Sequence, residues 1–92
     1  MYRIVNTINY RNSWIHRHPV FAERGEGVMV ILDPNQIKEP PEISGQTVTI
    51  YKPDGKIVQF VVGSSEAPHS LVGIFFKDVF SDEIPLGSQV EW

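Results

Sequence analysis

Glycine and proline divide the apolar residues of this sequence into short runs, and their spacing constrains the fold more than any other feature. The chain of 92 residues contains seven of each. Between them, apolar residues alternate with polar ones or form brief runs bounded by turn residues, which is the pattern of strands. No stretch has the apolar period of a helix. The sequence therefore predicts an all-β chain.

The strands expected from these runs number six or seven. Residues 52–56, Lys-Pro-Asp-Gly-Lys, predict a hairpin turn, because proline presets φ and glycine accepts the positive φ that closes the turn. Residues 33–43 and 63–70 are expected to be loops. Many short strands separated by such turns are typical of a barrel or sandwich. We expect strands at residues 1–10, 27–32, 46–51, 57–62, 71–77 and 89–92.

Apolar residues of equal parity on neighbouring strands indicate which side chains form the core. Replacement of a large core residue by alanine should then destabilise the fold. In the first strand, the apolar residues also share one parity and should lie on one face: Tyr2, Ile4, Ile8 and Tyr10. The predicted core residues are Val48, Ile50, Val58, Phe60, Val72, Ile74 and Phe76.

Size and composition exclude several classes of protein. A chain of this length forms one domain, residues 1–92. The sequence contains no cysteine, which excludes a disulfide framework and thiolate metal sites. No apolar run approaches the about 20 residues that span a bilayer, and no secretory signal is visible. We therefore expect a cytoplasmic protein that does not contact membranes.

The net charge of −3 argues against binding nucleic acid by phosphate attraction alone, but the charge is unevenly distributed. Residues 1–24 carry four arginines against one glutamate, a net charge of +3. Residues 25–92 carry four lysines against ten carboxylates, a net charge of −6. Such an asymmetry is typical of a recognition face, or of chance placement on a solvated surface.

Aromatic residues alternate with the arginines of this leading segment. Single-stranded RNA is bound by aromatic rings that stack on bases and by guanidinium groups that contact phosphates. The alternative is that the aromatic side chains pack in the core, with Trp14 under a loop. The residues expected to bind RNA or another partner are Arg3, Arg11, Trp14, His16, Arg17, His18 and Phe21.

Enzymatic chemistry finds little support in the sequence. His16 and His18 would share one face of a strand and could bind zinc with His69 or Glu23, but no ligand motif surrounds them. Ser64, Ser65 and His69 lie close in sequence without a nucleophile-elbow pattern. We therefore expect surface histidines, no catalytic residue, no metal, no cofactor and no enzymatic activity.

Three blocks of the sequence, in order, resemble the second domain of translational GTPases of the elongation factor Tu family. They are His18–Val30, with Val20-Phe21 and the Gly25-x-Gly27 pair, Ile43–Ile50, and Leu71–Val79 with its Val72-Gly73 pair. The resemblance extends to the chain end, where Gly87 precedes Val90. It implies a small closed antiparallel β-barrel of six or seven strands, with the part that is similar to the family at residues 18–92. Residues 1–17 have no counterpart in the family and are expected to form an extra N-terminal strand and loop.

The same resemblance implies what such a barrel does. In that family the second domain holds the acceptor end of tRNA. Phe21 is retained here, whereas His18-Pro19 and Leu71 stand where the family has an acidic pair and an asparagine. Neither GxxxxGK[ST] nor GxGxxG is present, so GTP binding is not expected. The expected function is a non-catalytic module that binds a protein or RNA, including the translation machinery. The alternative is a small-ligand-binding barrel or an accessory subunit of an enzyme, and the sequence gives no indication of the oligomeric state.

Overall fold

A computed structural model describes residues 1–11 and 25–92. Seven strands form one antiparallel sheet in the order β4-β3-β7-β1-β2-β6-β5. Within the described ranges there is no α-helix, and the two helical segments are single 3-10 turns, Pro68–Ser70 and Ser81–Glu83. The prediction of an all-β chain is confirmed. The strands are β1 Tyr2–Tyr10, β2 Gly27–Leu32, β3 Thr47–Tyr51, β4 Ile57–Val61, β5 Ser64–Glu66, β6 Gly73–Lys77 and β7 Gln89–Glu91.

The two edge strands of the sheet, β4 and β5, are consecutive in the chain. Only Val62 and Gly63 separate them. Val62 N–H donates to Gln46 O at 2.9 Å, and Gly63 N–H donates to Phe75 O at 2.7 Å. Within these two residues the chain stops pairing with β3 and begins to pair with β6. The sheet must therefore curve, so that its two edges come close together. Among the described residues the sheet is not closed, because β4 pairs with β3 and β5 with β6 but these two edges do not pair with each other. The prediction of a closed barrel is therefore not confirmed.

Strand β1 lies inside the sheet, between β7 and β2, and contains a bulge. Its pairing with β2 shifts between Ile4 and Asn6, which leaves Val5 as the extra residue. A shift of one residue moves the following side chains to the opposite face. The prediction that the apolar residues of β1 share one face was therefore wrong: Tyr2 and Ile4 belong to the main core, and Ile8 and Tyr10 to a second cluster.

The main core lies on the concave side of the curved sheet. Five of the seven predicted core residues are buried in it, and the other two, Val58 and Phe60, are half-buried and pack against it. The rings of Phe60 and Phe76 are 5.7 Å apart. These predictions are confirmed. The buried core residues are Ile4, Val28, Val30, Leu32, Ile43, Val48, Ile50, Val62, Val72, Ile74, Phe76, Val79, Ile84 and Val90.

The predicted hairpin joins β3 and β4. Lys52 N–H donates to Lys56 O at 2.8 Å, and Gly55 adopts a φ of 88°. Asp54 Oδ1 accepts the N–H of Lys56 at 2.9 Å and fixes the turn from inside. Glycine is favoured here because the left-handed region is strained for residues with a Cβ.

The second predicted loop is only partly a loop. Ser64–Glu66 form β5 and pair with β6, although this segment contains no apolar residue. The pairing arises from the position of β6 and not from local preference, since tertiary context overrides weak β propensity. The first predicted loop, residues 33–43, contains no strand or helix, as expected. None of the described segments includes a helix long and apolar enough to cross a membrane.

Candidate functional site

The structure places two of the seven predicted partner-binding residues, Arg3 and Arg11. The other five lie outside the described residues, and the prediction made for them stays a prediction: Trp14, His16, Arg17, His18 and Phe21.

Arg3 is part of an ion pair with a nearly buried carboxylate. Its Nη2 atom donates to Asp33 Oδ2 at 2.6 Å, with the side chains 59% and 5% exposed, respectively. Backbone groups of Arg3 bond to the same loop. Asp33 N–H donates to Arg3 O at 2.9 Å, and Arg3 N–H donates to Gln36 Oε1 at 2.7 Å. The hydrogen bond from Arg3, together with that from Asn35 N–H, lowers the pKa of Asp33. Arg3 therefore anchors the loop after β2.

Arg11 makes a different contact at the other end of β1. Its guanidinium carbon lies 4.1 Å from the centre of the Phe80 ring, a cation–π arrangement. Arg11 directly follows β1 and lies eight positions after Arg3, which corresponds to about 26 Å of extended chain. The structure therefore does not bring the two arginines into one compact site.

An apolar recess opens on the convex side of the sheet, beside the β1 bulge. Its volume is ≈ 360 Å³. The bulge leaves Val5 41% exposed at the wall of this recess. Most of the lining is apolar, with the Asn6 amide and the His69 imidazole as polar groups, an arrangement typical of binding sites. The lining residues are Val5, Asn6, Ile8, Ile31, Pro34, Pro68, His69 and Leu71.

One wall of the recess is a strained turn. His69 and Ser70 have φ values of 52° and 65°, in the left-handed region that is uncommon for residues other than glycine. Leu71 N–H donates to Pro68 O at 2.9 Å and closes the turn. Strained backbone persists only where surrounding contacts hold it, and it often occurs at binding sites.

The second apolar cluster contacts Leu71, the residue that follows this turn. It consists of Tyr10, Met29, Ile31 and Phe75, with Ile8 and Leu71 packed against it. A Cβ on Gly73 would lie 2.5 Å from Met29 Sδ and 3.2 Å from Pro68 Cδ. A side chain at position 73 would therefore force Met29 or the turn to shift.

A second cavity lies beside the proline-rich loop. It has a volume of ≈ 410 Å³ and is lined by Pro40, Pro41, Glu42, Ser44 and Ser65. The Oγ atom of Ser65 is buried and has no hydrogen-bond partner. Buried polar atoms are normally satisfied, so this hydroxyl is an exception among the residues that line the cavity.

The serine and histidine residues considered above do not form a catalytic pair. Ser64 Oγ donates to Glu66 Oε2 at 2.7 Å, and Ser65 Oγ is not hydrogen-bonded to His69. Across residues 1–11 and 25–92, no group of three or more metal-ligating side chains comes together. The histidine pair at positions 16 and 18 lies outside these ranges.

Periodicity in the sequence did not predict the recess, although one feature of the sequence pointed to it. Ile4 and Val5 are adjacent apolar residues in an otherwise alternating strand, which is the local pattern that a bulge produces. The other walls come from residues about 30 and 65 positions away, and periodicity does not reveal such contacts. Comparison of the chain with protein families, curated proteins and solved structures finds no match.

Proposed function

We propose that this chain is a non-catalytic binding module whose convex recess receives one apolar side chain of a partner protein. The recess itself carries the proposal. Its volume of ≈ 360 Å³ is near the lower end of the about 300–1,000 Å³ range of ligand sites. That volume suits a single aromatic or large aliphatic side chain better than a cofactor.

The chemistry of the recess supports an apolar anchor with a polar rim. Val5, Ile8 and Leu71 offer apolar contacts, and Asn6 and His69 offer hydrogen bonds at the margin. Interfaces commonly derive most of their affinity from one such anchor in a desolvated hollow. The partner in this proposal is therefore a protein segment with an exposed Trp, Phe or Leu.

The likeness to the second domain of translational GTPases adds a proposal about the type of barrel. The adjacency of β4 and β5 in the chain is consistent with a sheet that curves toward closure. In this proposal the chain forms a translation-factor-like barrel, and its partner belongs to the translation machinery. RNA contact through Arg11 and the leading segment is the competing outcome.

N-acetyl-tryptophanamide is a suitable probe of the recess in NMR titrations. We expect chemical-shift changes at Val5, Ile8 and Leu71 that saturate, and we expect Val5→Lys to abolish them. The matched control is Val61→Lys, which makes the same charge change at an exposed valine far along the sheet order. Shifts that are absent, or that survive Val5→Lys, would contradict the proposal.

A single-stranded RNA probe such as poly-U tests the competing outcome, in which the partner is RNA and not a protein. Phosphate contacts produce an affinity that falls steeply with salt, by about 0.7 slope units per contact for single strands. Binding of poly-U that weakens with salt and with Arg11→Ala would favour RNA as the partner. Binding of tryptophanamide alone would favour a protein.

The second cavity favours one further candidate function, a small-ligand site. The observation is the unpaired Ser65 hydroxyl in its wall. Native mass spectrometry of the purified protein would detect a retained molecule, and Ser65→Ala should release it. Identical spectra for wild type and Ser65→Ala would remove this candidate.

A further inference from the structure

Strand β4 is an edge of the sheet that the described residues form, and one of its sides is unpaired there. It pairs with β3, and no other described strand contacts its outer edge. The hydrogen bonds at both ends of the β3–β4 pair show which residues of β4 are bonded to β3. Lys52 N–H donates to Lys56 O, and Val62 N–H donates to Gln46 O. In an antiparallel pair, bonded and non-bonded positions alternate. The even-numbered residues of β4 therefore bond to β3, and the odd-numbered ones direct their backbone groups outward.

The outward-directed residues are Ile57, Gln59 and Val61. Ile57 is 61% exposed and Val61 is 59% exposed, and Gln59 is exposed between them. Edge strands are usually protected from pairing by lysine, proline, a bulge or short length. Strand β4 has five residues without a charge, a proline or a bulge. The opposite edge, β5, has three residues and includes Glu66.

The exposed side chains of β4 are arranged symmetrically about Gln59. When two copies of the strand pair antiparallel with this residue at the centre, Gln59 lies opposite Gln59, and Ile57 opposite Val61. Apolar pairs and amide pairs across strands are favourable. Lys56 would lie opposite Val62 of the other copy, so no like charges meet. A two-fold axis makes such a contact self-complementary.

We propose that two copies of this chain associate through antiparallel pairing of β4, with Gln59 at the two-fold axis. The outward backbone groups of Ile57, Gln59 and Val61 then form about six hydrogen bonds across the axis. A second copy fits this edge better than an unrelated peptide, because the pattern matches itself and carries no charge that would select a different partner. The dimer would join two sheets into one.

This association should be weak and concentration-dependent. A single strand pair covers less surface than the about 1,600 Å² of a standard interface. The proposal is independent of the recess, because Val5 lies on β1 and takes no part in this edge.

Sedimentation velocity over a range of concentrations tests the association. We expect a monomer–dimer equilibrium for the wild type and its loss in Val61→Lys, because two lysines would enter the paired edge. Val5→Lys makes the same change of charge on another strand and should dimerise like the wild type. A wild type that stays monomeric up to millimolar concentration, or a dimer that survives Val61→Lys, would overturn the proposal.

Cysteine cross-linking tests the register, since the natural chain contains no cysteine. Residues in a bonded antiparallel pair have Cα atoms about 5.5 Å apart, within the range for disulfides. Gln59→Cys should therefore form a disulfide-linked dimer under mild oxidation. Val61→Cys alone should not, because its two copies would be separated by about four residues of strand, or about 13 Å. Equal cross-linking of the two variants would contradict the register.

Discussion

The side chain of Asn9 forms two hydrogen bonds with Ser81, a residue 72 positions away in the chain. Its Nδ2 atom donates to Ser81 Oγ at 2.8 Å, and its Oδ1 atom accepts the N–H of Ser81 at 2.9 Å. The β1 bulge sets this contact, because it shifts the side chains that follow Val5 to the opposite face. The pair joins the end of β1 to the 3-10 turn at Ser81–Glu83.

The first prediction concerns the two halves of this pair. Asn9→Ala removes both hydrogen bonds and leaves the Ser81 N–H without its partner, so it should lower the free energy of unfolding by about 1–3 kcal/mol. Ser81→Ala keeps the bond from its own backbone and should be less destabilising. Urea unfolding measures both values. A larger effect for Ser81→Ala than for Asn9→Ala would show that the backbone bond does not contribute.

The second prediction concerns the centre of the core. Ile74 is fully buried, and Ile74→Ala should destabilise the protein by about 2–5 kcal/mol through lost contacts and a cavity. Ile57→Ala is the matched control, because the same atoms are removed from a side chain that is 61% exposed. Its effect should be within about 0.5 kcal/mol. Thermal unfolding at low protein concentration compares them, and equal stability of Ile74→Ala and wild type would refute the core assignment.

The third prediction follows from the Arg3–Asp33 ion pair. The hydrogen bond from Arg3 lowers the pKa of Asp33 in the folded protein below its ordinary value of 3.8. The unfolded chain therefore binds a proton at a higher pH than the folded chain does. The contribution of the pair to stability is present above pH 3.8 and is lost as the pH falls through the lower folded pKa.

Urea unfolding between neutral and acidic pH tests this expectation. The stability of the wild type should fall more steeply below pH 3.8 than that of Asp33→Asn, which has no carboxyl to protonate. Arg3→Ala should move the loss closer to pH 3.8, because the largest cause of the pKa shift is gone. Parallel pH profiles for wild type and Asp33→Asn would mean that this carboxyl is not linked to folding.

The fourth prediction concerns the close approach at Gly73. Gly73→Ala would place a Cβ 2.5 Å from Met29 Sδ, so the Pro68–Ser70 turn or Met29 must move. We expect a destabilisation of about 1–3 kcal/mol, as for other overpacked sites. In the background of Met29→Ala the clash with sulfur disappears, and the same substitution should then be less harmful. A double-mutant cycle measures this coupling, and strict additivity would argue against the contact.

Much of the fold could be predicted from the sequence, because the relevant physics is local. Alternation places Val48, Ile50 and Ile74 on inward faces wherever a strand forms. The turn at residues 52–56 needs only the preferences of proline and glycine for particular φ values. Those two local rules were sufficient for the all-β class, the β3–β4 hairpin and the main core.

The tertiary structure decided the candidate sites, because each depends on residues far apart in sequence. The bulge at Val5 depends on how β1 meets β2, and it divides the apolar residues of β1 between two clusters. Strand β5 exists because Ser64–Glu66 lie beside β6. The sequence predicted Arg3 as a residue that binds RNA or another partner, and only folding brings Asp33 to it. Alternation along one strand determines which face a side chain takes, whereas register and curvature determine what it meets there.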